Sequence, residues 1–103
     1  MKSVSDFVRE MKSKGYSSKS QARLKGKSGI MHDVNLFLQK KGEPSIVIMR
    51  SAGKDTTLEI IKAHLIGVDL GAAAYYVTGK NSDPDPVGEK LLKEYRIACL
   101  SPD

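Results

Sequence analysis

The chain has 103 residues, 40% of them hydrophobic and 28% charged, which is the composition of one globular domain with room for a single core. No run of 18 apolar residues occurs, so no membrane-spanning helix is expected. The single cysteine, Cys99, excludes an internal disulfide, and two histidines far apart in sequence exclude a zinc motif. The first ten residues, MKSVSDFVRE, lack the apolar centre of a secretory signal, so the expected compartment is the cytoplasm.

The net charge of +5 is unevenly spread. Residues 1–27 carry eight cations (Lys2, Arg9, Lys12, Lys14, Lys19, Arg23, Lys25 and Lys27) against Asp6 and Glu10, leaving the rest nearly neutral. Such a cluster suits a phosphate-binding face, and it equally suits a solvated, solubilising surface. No RNA-recognition signature with interleaved aromatic residues is present, and aromatic residues make up 6% of the chain.

In chain order, residues 3–14 are predicted as a helix. Ser3 with Asp6 makes a start signal, Val4, Phe7, Val8 and Met11 form an apolar stripe, and Gly15 stops it. Residues 16–24 read as an edge strand whose Lys19 and Arg23, with Lys25 just beyond, discourage pairing with neighbours. Two strands then flank the turn Lys41-Gly42-Glu43-Pro44: residues 30–38, and the β-branched run 45–50. In the first of them Val34, Leu36 and Leu38 are expected on one face, and Asp33, Asn35 and Phe37 on the other.

Thr56 and Glu59 form a capping box for a second helix, on which Leu58, Ile61, Leu65 and Val68 recur at helical spacing, with Ile60, Ala63 and Ile66 widening the stripe. That helix ends between Gly67 and Gly71. Residues 72–78 (AAAYYVT) are a compact apolar strand, and residues 79–84 are a turn-rich loop. Asp85 caps a third helix with Pro86 at its first position, and residues 97–100 are a short last strand. The order is α-β-β-β-α-β-α-β. A meander of three antiparallel strands followed by right-handed crossovers gives a single α/β domain with a mixed sheet flanked by helices.

Three phrases, FVREMKSKGY, SGIMHDVNLFL and the closing GVDLGAAAYYVTGKNSDPDPVGEKLLKEYRIACL, resemble the restriction-endonuclease-like (PD-(D/E)XK) superfamily, nearest to its Mrr-type branch and the archaeal Holliday-junction resolvases. The resemblance covers nearly the whole chain. It implies a DNA-binding nuclease fold in which an Asp at the second strand binds Mg²⁺. An acid and a Lys two apart on the third strand share the metal and activate water. Asp33 matches the first position. Ile48 stands where the acid belongs, and Arg50 stands where the Lys belongs.

Isoleucine cannot ligate a metal and arginine does not give up its proton, so the implied site is degenerate. An inactive relative kept for binding is favoured over an active enzyme whose acid or lysine has moved to Glu43, Asp55, Glu59 or Lys54. Asp33 is then either a metal ligand or a strand-end carboxylate bonded to backbone or paired with Arg50. His32 reads as a surface or half-buried side chain rather than a general base.

A second motif fails on inspection. RSAGKDTT before a helix imitates a phosphate loop, but Ile48 replaces the first glycine and Asp55 follows Lys54 where Ser or Thr is needed. One backbone phosphate at this helix start, with Lys54, stays open as an expectation. A fainter resemblance of KSKGY to tRNA-splicing endonucleases lacks the Tyr-His-Lys set which that family uses.

The sequence therefore predicts DNA binding through Lys12, Lys14, Lys19, Arg23, Lys25, Lys27, Arg50 and Lys54, with Mg²⁺ at Asp33 for an active nuclease. The resemblance also implies a homodimer, with AAAYYVT and the last helix as its contact. A protein partner on an inherited nuclease fold is the third class. Cys99 is expected as a buried small hydrophobe.

Overall fold

The computed structural model describes residues 1–53, 55–79 and 85–102. Its elements are α1 (Val4–Ser13), β1 (Ser17–Lys25), β2 (Met31–Gln39), β3 (Ile46–Arg50), α2 (Thr56–Leu70), β4 (Ala73–Val77), α3 (Pro86–Glu94) and β5 (Ala98–Leu100). The sheet runs β1-β2-β3-β4-β5, antiparallel across the first three strands and parallel across the last three. This is the mixed α/β sheet with flanking helices, in the predicted order. No helix of the described residues is long and apolar enough to cross a membrane. Lys54 and most of the predicted loop at residues 79–84 lie outside the described residues.

The helix ends follow local chemistry. Ser3 Oγ accepts the Asp6 N–H at 3.1 Å, and Asp85 Oδ1 accepts that of Gly88 at 2.7 Å ahead of Pro86. At α2 the cap is Asp55, whose Oδ1 accepts the Leu58 N–H at 3.1 Å, so the expected Thr56–Glu59 box is displaced by one residue. Carboxylates outperform threonine at this position because they also meet the positive end of the helix dipole. Gly71, at φ +65°, closes α2 in the left-handed conformation.

Helix α1 covers one face of the sheet, where Val4 and Phe7 bury themselves among Leu38, Ile46, Ile48, Val77 and Leu100. Helices α2 and α3 cover the other. Ile66 packs on Ala22, Val34 and Val47, and Ile60 and Leu92 pack on Tyr76 and Ile97.

Only the widening part of the expected apolar stripe of α2 reaches the core. Leu58, Leu65 and Val68 are 60–61% exposed, while Ile60, Ala63, Ile66 and Gly67 are buried. Because this helix is apolar nearly all round, periodicity does not choose a side, and residue size does. A side chain at Gly67 would lie 3.1 Å from the Ala74 Cβ and 3.2 Å from the Ala72 carbonyl, so the small-residue face is the one that reaches the sheet.

The expected alternation of β2 breaks at its centre. Leu36 and Leu38 face α1, but Val34 packs under α2 together with Phe37. Opposite, Ser18 and Ser20 face α1 while Ala22 and Leu24 face α2. Both strands change face at Gln21 and Asn35, the one interior position missing from the β1–β2 register. Gln21 takes φ +50° there, a conformation that costs a non-glycine residue about 1 kcal/mol.

The β2–β3 ladder stops at Leu36–Ile48. Beyond it, Asn35 Oδ1 accepts the Arg50 N–H at 2.7 Å in place of a strand carbonyl. From this point the tip of the β1–β2 hairpin leans onto the end of α2.

Candidate nucleic-acid interface

A helix with its side chains is roughly 10–12 Å across, and five strands span about 19 Å across the sheet. One helix therefore cannot cover its face, and α1 leaves the β1–β2 side open. Its flank carries Ser5, Val8, Arg9 and Lys12, spaced to share one helical stripe beside the buried Val4 and Phe7. Facing them are Ser18 and Ser20 from β1 and Leu36 from β2, with Arg50 at the end of β3. Together these residues line a cleft of about 400 Å³.

Three cations from two elements converge on this cleft. Arg9 donates to Asp6 at 3.1 Å. Among the described residues neither Lys12 nor Arg50 has an acidic partner. Arg50 is aimed by its neighbours: its N–H is held by Asn35, and the Ser51 N–H that follows donates to the Val77 carbonyl at 2.8 Å. Two cations with no acidic partner among the described residues, set above serine hydroxyls, are groups able to attract an anion.

The remaining predicted cations among the described residues do not join them. Lys14 pairs with Glu10 at 3.8 Å; Lys2 holds the same carboxylate and, first among its neighbours, lowers its pKa. Lys19 pairs across the strand with Phe37, which faces α2, so it lies on the opposite side of the sheet. Arg23 faces Asp33 at 3.8 Å, and Lys25 stands opposite Met31 near the hairpin tip. The Lys27 side chain approaches Gly71 at the C-terminus of α2, where a cation meets the negative helix end. The basic first quarter is thus split among three places rather than gathered on one face. Ser18, Ser20 and Asn35 join the site without having been singled out from sequence, and Arg9 joins it from the basic first quarter. Their signals were the spacing from Ser5 to Lys12 and the serine pair at strand period.

Asp33 does not line the cleft. Its side chain is 84% exposed and its ion partner is Arg23, which corrects the expected pairing with Arg50. Among the described residues no three His, Cys, Asp or Glu side chains stand close enough to hold a metal. Of the alternative acids, Asp55 is spent on capping α2. Glu59 accepts from Tyr76 Oη at 2.8 Å, Ser51 Oγ at 3.1 Å and the Ala52 N–H at 2.7 Å. Burial first, with this carboxylate adding to it, pushes the Tyr76 phenol up to about 12. Asp33 is thus an exposed carboxylate paired with Arg23 and outside any such cluster, and with Ile48 buried under α1 the described residues do not assemble the acid-and-lysine set that the resemblance implies for Mg²⁺.

A second polar cluster ties the hairpin tip to α2. Asp69 accepts from the Ser28 N–H at 2.9 Å and Ser28 Oγ at 2.7 Å, and its Oδ2 lies 2.6 Å from His32 Nε2. Gly26 is required beside it, because a Cβ there would land on the Asp69 carboxylate. The carboxylate, not the imidazole, sits between the other two groups, so Ser28 has no base and the cluster is a clasp rather than a nucleophilic triad.

His32 first, then Ser28, hold the Asp69 carboxyl down at about 2 against an ordinary 3.8. A carboxylate with a depressed folded pKa stabilises above its unfolded pKa and stops doing so as the pH falls through the folded one. Urea midpoints of the wild type and Asp69→Asn should therefore differ fully above pH 3.8 and converge toward pH 2. A gap that stays constant over that window would assign the clasp to something other than the charge.

Cys99 is half-buried, not fully buried as expected. AAAYYVT forms β4, which lies between β3 and β5 and so offers no free strand edge. Tyr76 is buried, and Tyr75 packs on Phe7 with ring centroids 4.5 Å apart. No family model matches the chain, and no curated protein does.

Proposed function

We propose that this chain is a nucleic-acid-binding domain acting in the cytoplasm, holding the sugar–phosphate backbone of DNA in the cleft between α1 and the β1–β2 face. The observation that carries the reading is the convergence of Arg9, Lys12 and Arg50 over Ser18 and Ser20, with Lys12 and Arg50 lacking acidic partners among the described residues. Cations and hydroxyls are the groups that contact phosphate, and they carry no base readout. Binding is therefore salt-sensitive and nearly indifferent to sequence. The resemblance to the restriction-endonuclease-like superfamily supports the same reading, with the metal chemistry lost: Ile48 and Arg50 replace the acid and the lysine, and Asp33 pairs with Arg23.

Fluorescence anisotropy of a labelled duplex, titrated across sodium chloride concentrations, tests this. Arg50→Ala and Lys12→Ala should each weaken binding about tenfold at low salt and flatten the log–log salt slope by about 0.9. Lys19→Ala, on the other face, should change neither. Equal effects at Lys19 would return the interface to a diffuse basic surface. Absence of binding even at low salt would overturn the reading in favour of a protein partner. Metal-dependent cutting of the same duplex, abolished by Asp33→Ala, would overturn the loss of catalysis.

A further inference from the structure

The outer crest of α2 is unpartnered. Leu58, Leu65 and Val68 are 60–61% exposed, Ile61 between them is half-buried, and Val87 on the adjoining α3 is 58% exposed. Single exposed apolar residues are ordinary, but four at one helical stripe are a surface. Their steps of three, four and three residues follow the 3.5-residue repeat by which one helix packs along another. The partner that fits is therefore a helix.

The steps also read the same in both directions. A two-fold interface requires that if one residue meets a second, the second meets the first on the partner. An antiparallel copy of α2 turned about Ala63 satisfies this throughout, setting Leu58 against Val68 and Ile61 against Leu65 twice over. The exposed parts of Leu58, Leu65, Val68 and Val87 amount to on the order of 400 Å². That is about half of the roughly 800 Å² per partner that a specific interface buries, in keeping with an apolar centre and polar rim.

Charge allows a like copy. The exposed Lys62, Lys90 and Lys93 are nearly cancelled by Asp55, Glu89 and Glu94, whereas the excess positive charge of the chain lies in residues 1–27. Lys62 meets its like near the axis, where its flexible stem carries the ammonium outward, and His64 on the other flank is stacked on Tyr95.

We infer that the chain self-associates as a two-fold dimer through antiparallel packing of the α2 helices. Since α2 and the α1 cleft lie on opposite faces of the sheet, such a dimer turns its two clefts outward. On the function proposed above, it would then hold two DNA segments at once. The dimer itself does not depend on that function and is tested without nucleic acid.

Sedimentation velocity from about 1 to about 200 µM should show a concentration-dependent dimer. Leu65→Glu should weaken it at least about a hundredfold with an unchanged thermal melt, since Leu65 is exposed in the monomer. In a Cys99→Ser background, a short bismaleimide should cross-link Lys62→Cys, beside the axis, into a covalent dimer, but not Lys19→Cys on the far side of the sheet. A chain that stays monomeric throughout, or a dimer that survives Leu65→Glu, overturns the inference.

Discussion

Restoring the acid–lysine spacing of the restriction-endonuclease pattern, by Ile48→Glu with Arg50→Lys, is expected to unfold the protein rather than create a metal site. Ile48 is 0% exposed and packs among Val4, Phe7, Leu38, Ile46, Val77 and Leu100 beneath α1. Its strand neighbours in register are Leu36 and Tyr75, neither of which offers a cation. A carboxyl placed there loses the burial of an isoleucine and gains no charge partner. The combined cost is about 4 kcal/mol or more, a large part of the roughly 5–15 kcal/mol that holds a small domain together.

The control is Ile48→Ala, which makes the cavity without the charge and should cost about 2–4 kcal/mol. Urea denaturation of both, at neutral pH, separates the two terms. A glutamate variant no less stable than the alanine one would mean that the carboxyl reaches solvent or the lysine placed at position 50, and that the strand still has room for catalytic chemistry. The expected result makes this position a packing residue whose identity is now set by the α1 contact.

Much of the architecture was legible because several local signals agreed. Ser3, Asp85, Pro86 and Gly71 mark helix ends through backbone chemistry that needs no tertiary context. The turn at Lys41–Pro44 and the β-branched run before Arg50 define the hairpin in the same way. What failed was the choice of face wherever a segment is apolar on two sides.

In α2 the larger residues Leu58, Leu65 and Val68 lost the core to Ala63 and Gly67, because helix and sheet approach more closely over small side chains. In β2 the alternation is broken by a left-handed residue on the neighbouring strand, Gln21. Nothing in an Asn-Leu-Phe-Leu run announces a conformation adopted by a glutamine fourteen residues earlier.

The site was legible in part for a related reason. Counting cations along residues 1–27 locates charge in sequence, not in space. Strand alternation sends Lys19 to the α2 face, Glu10 takes Lys14, Asp33 takes Arg23, and α2 draws Lys27 to its end. Of the predicted cations among the described residues, Lys12 and Arg50 remain, joined by Arg9 and the two serines. The residue that aims Arg50 is Asn35, whose side chain substitutes for a ladder carbonyl. Only the place where β2 parts from β3 makes that role visible.

Glu59 carries the other large effect. It lies on the first turn of α2 and accepts three hydrogen bonds that close the connection from β3: from Ser51 Oγ, the Ala52 N–H and Tyr76 Oη. Ser51 Oγ accepts in turn from the Gly53 N–H at 3.1 Å, so one carboxylate orders the segment that leaves Arg50. Glu59→Ala removes all three acceptor contacts and leaves the hydroxyl of Tyr76, a residue 1% exposed, with the Ser51 and Thr56 side chains as its neighbours. The expected loss is about 2–4 kcal/mol.

Tyr76→Phe removes one contact and leaves the carboxylate its other two donors, so it should cost only about 1 kcal/mol. The double variant should cost little more than Glu59→Ala alone, because the hydroxyl that lost its carboxylate is gone. Glu59→Ala should also weaken DNA binding beyond what its stability loss explains, since Ser51 follows Arg50 directly. Urea denaturation of the three variants, with anisotropy titrations of the folded fraction, measures both. Additive losses in the double variant would mean that Glu59 and Tyr76 act separately. Unchanged DNA binding by Glu59→Ala would mean that Asn35 alone places Arg50 in the cleft.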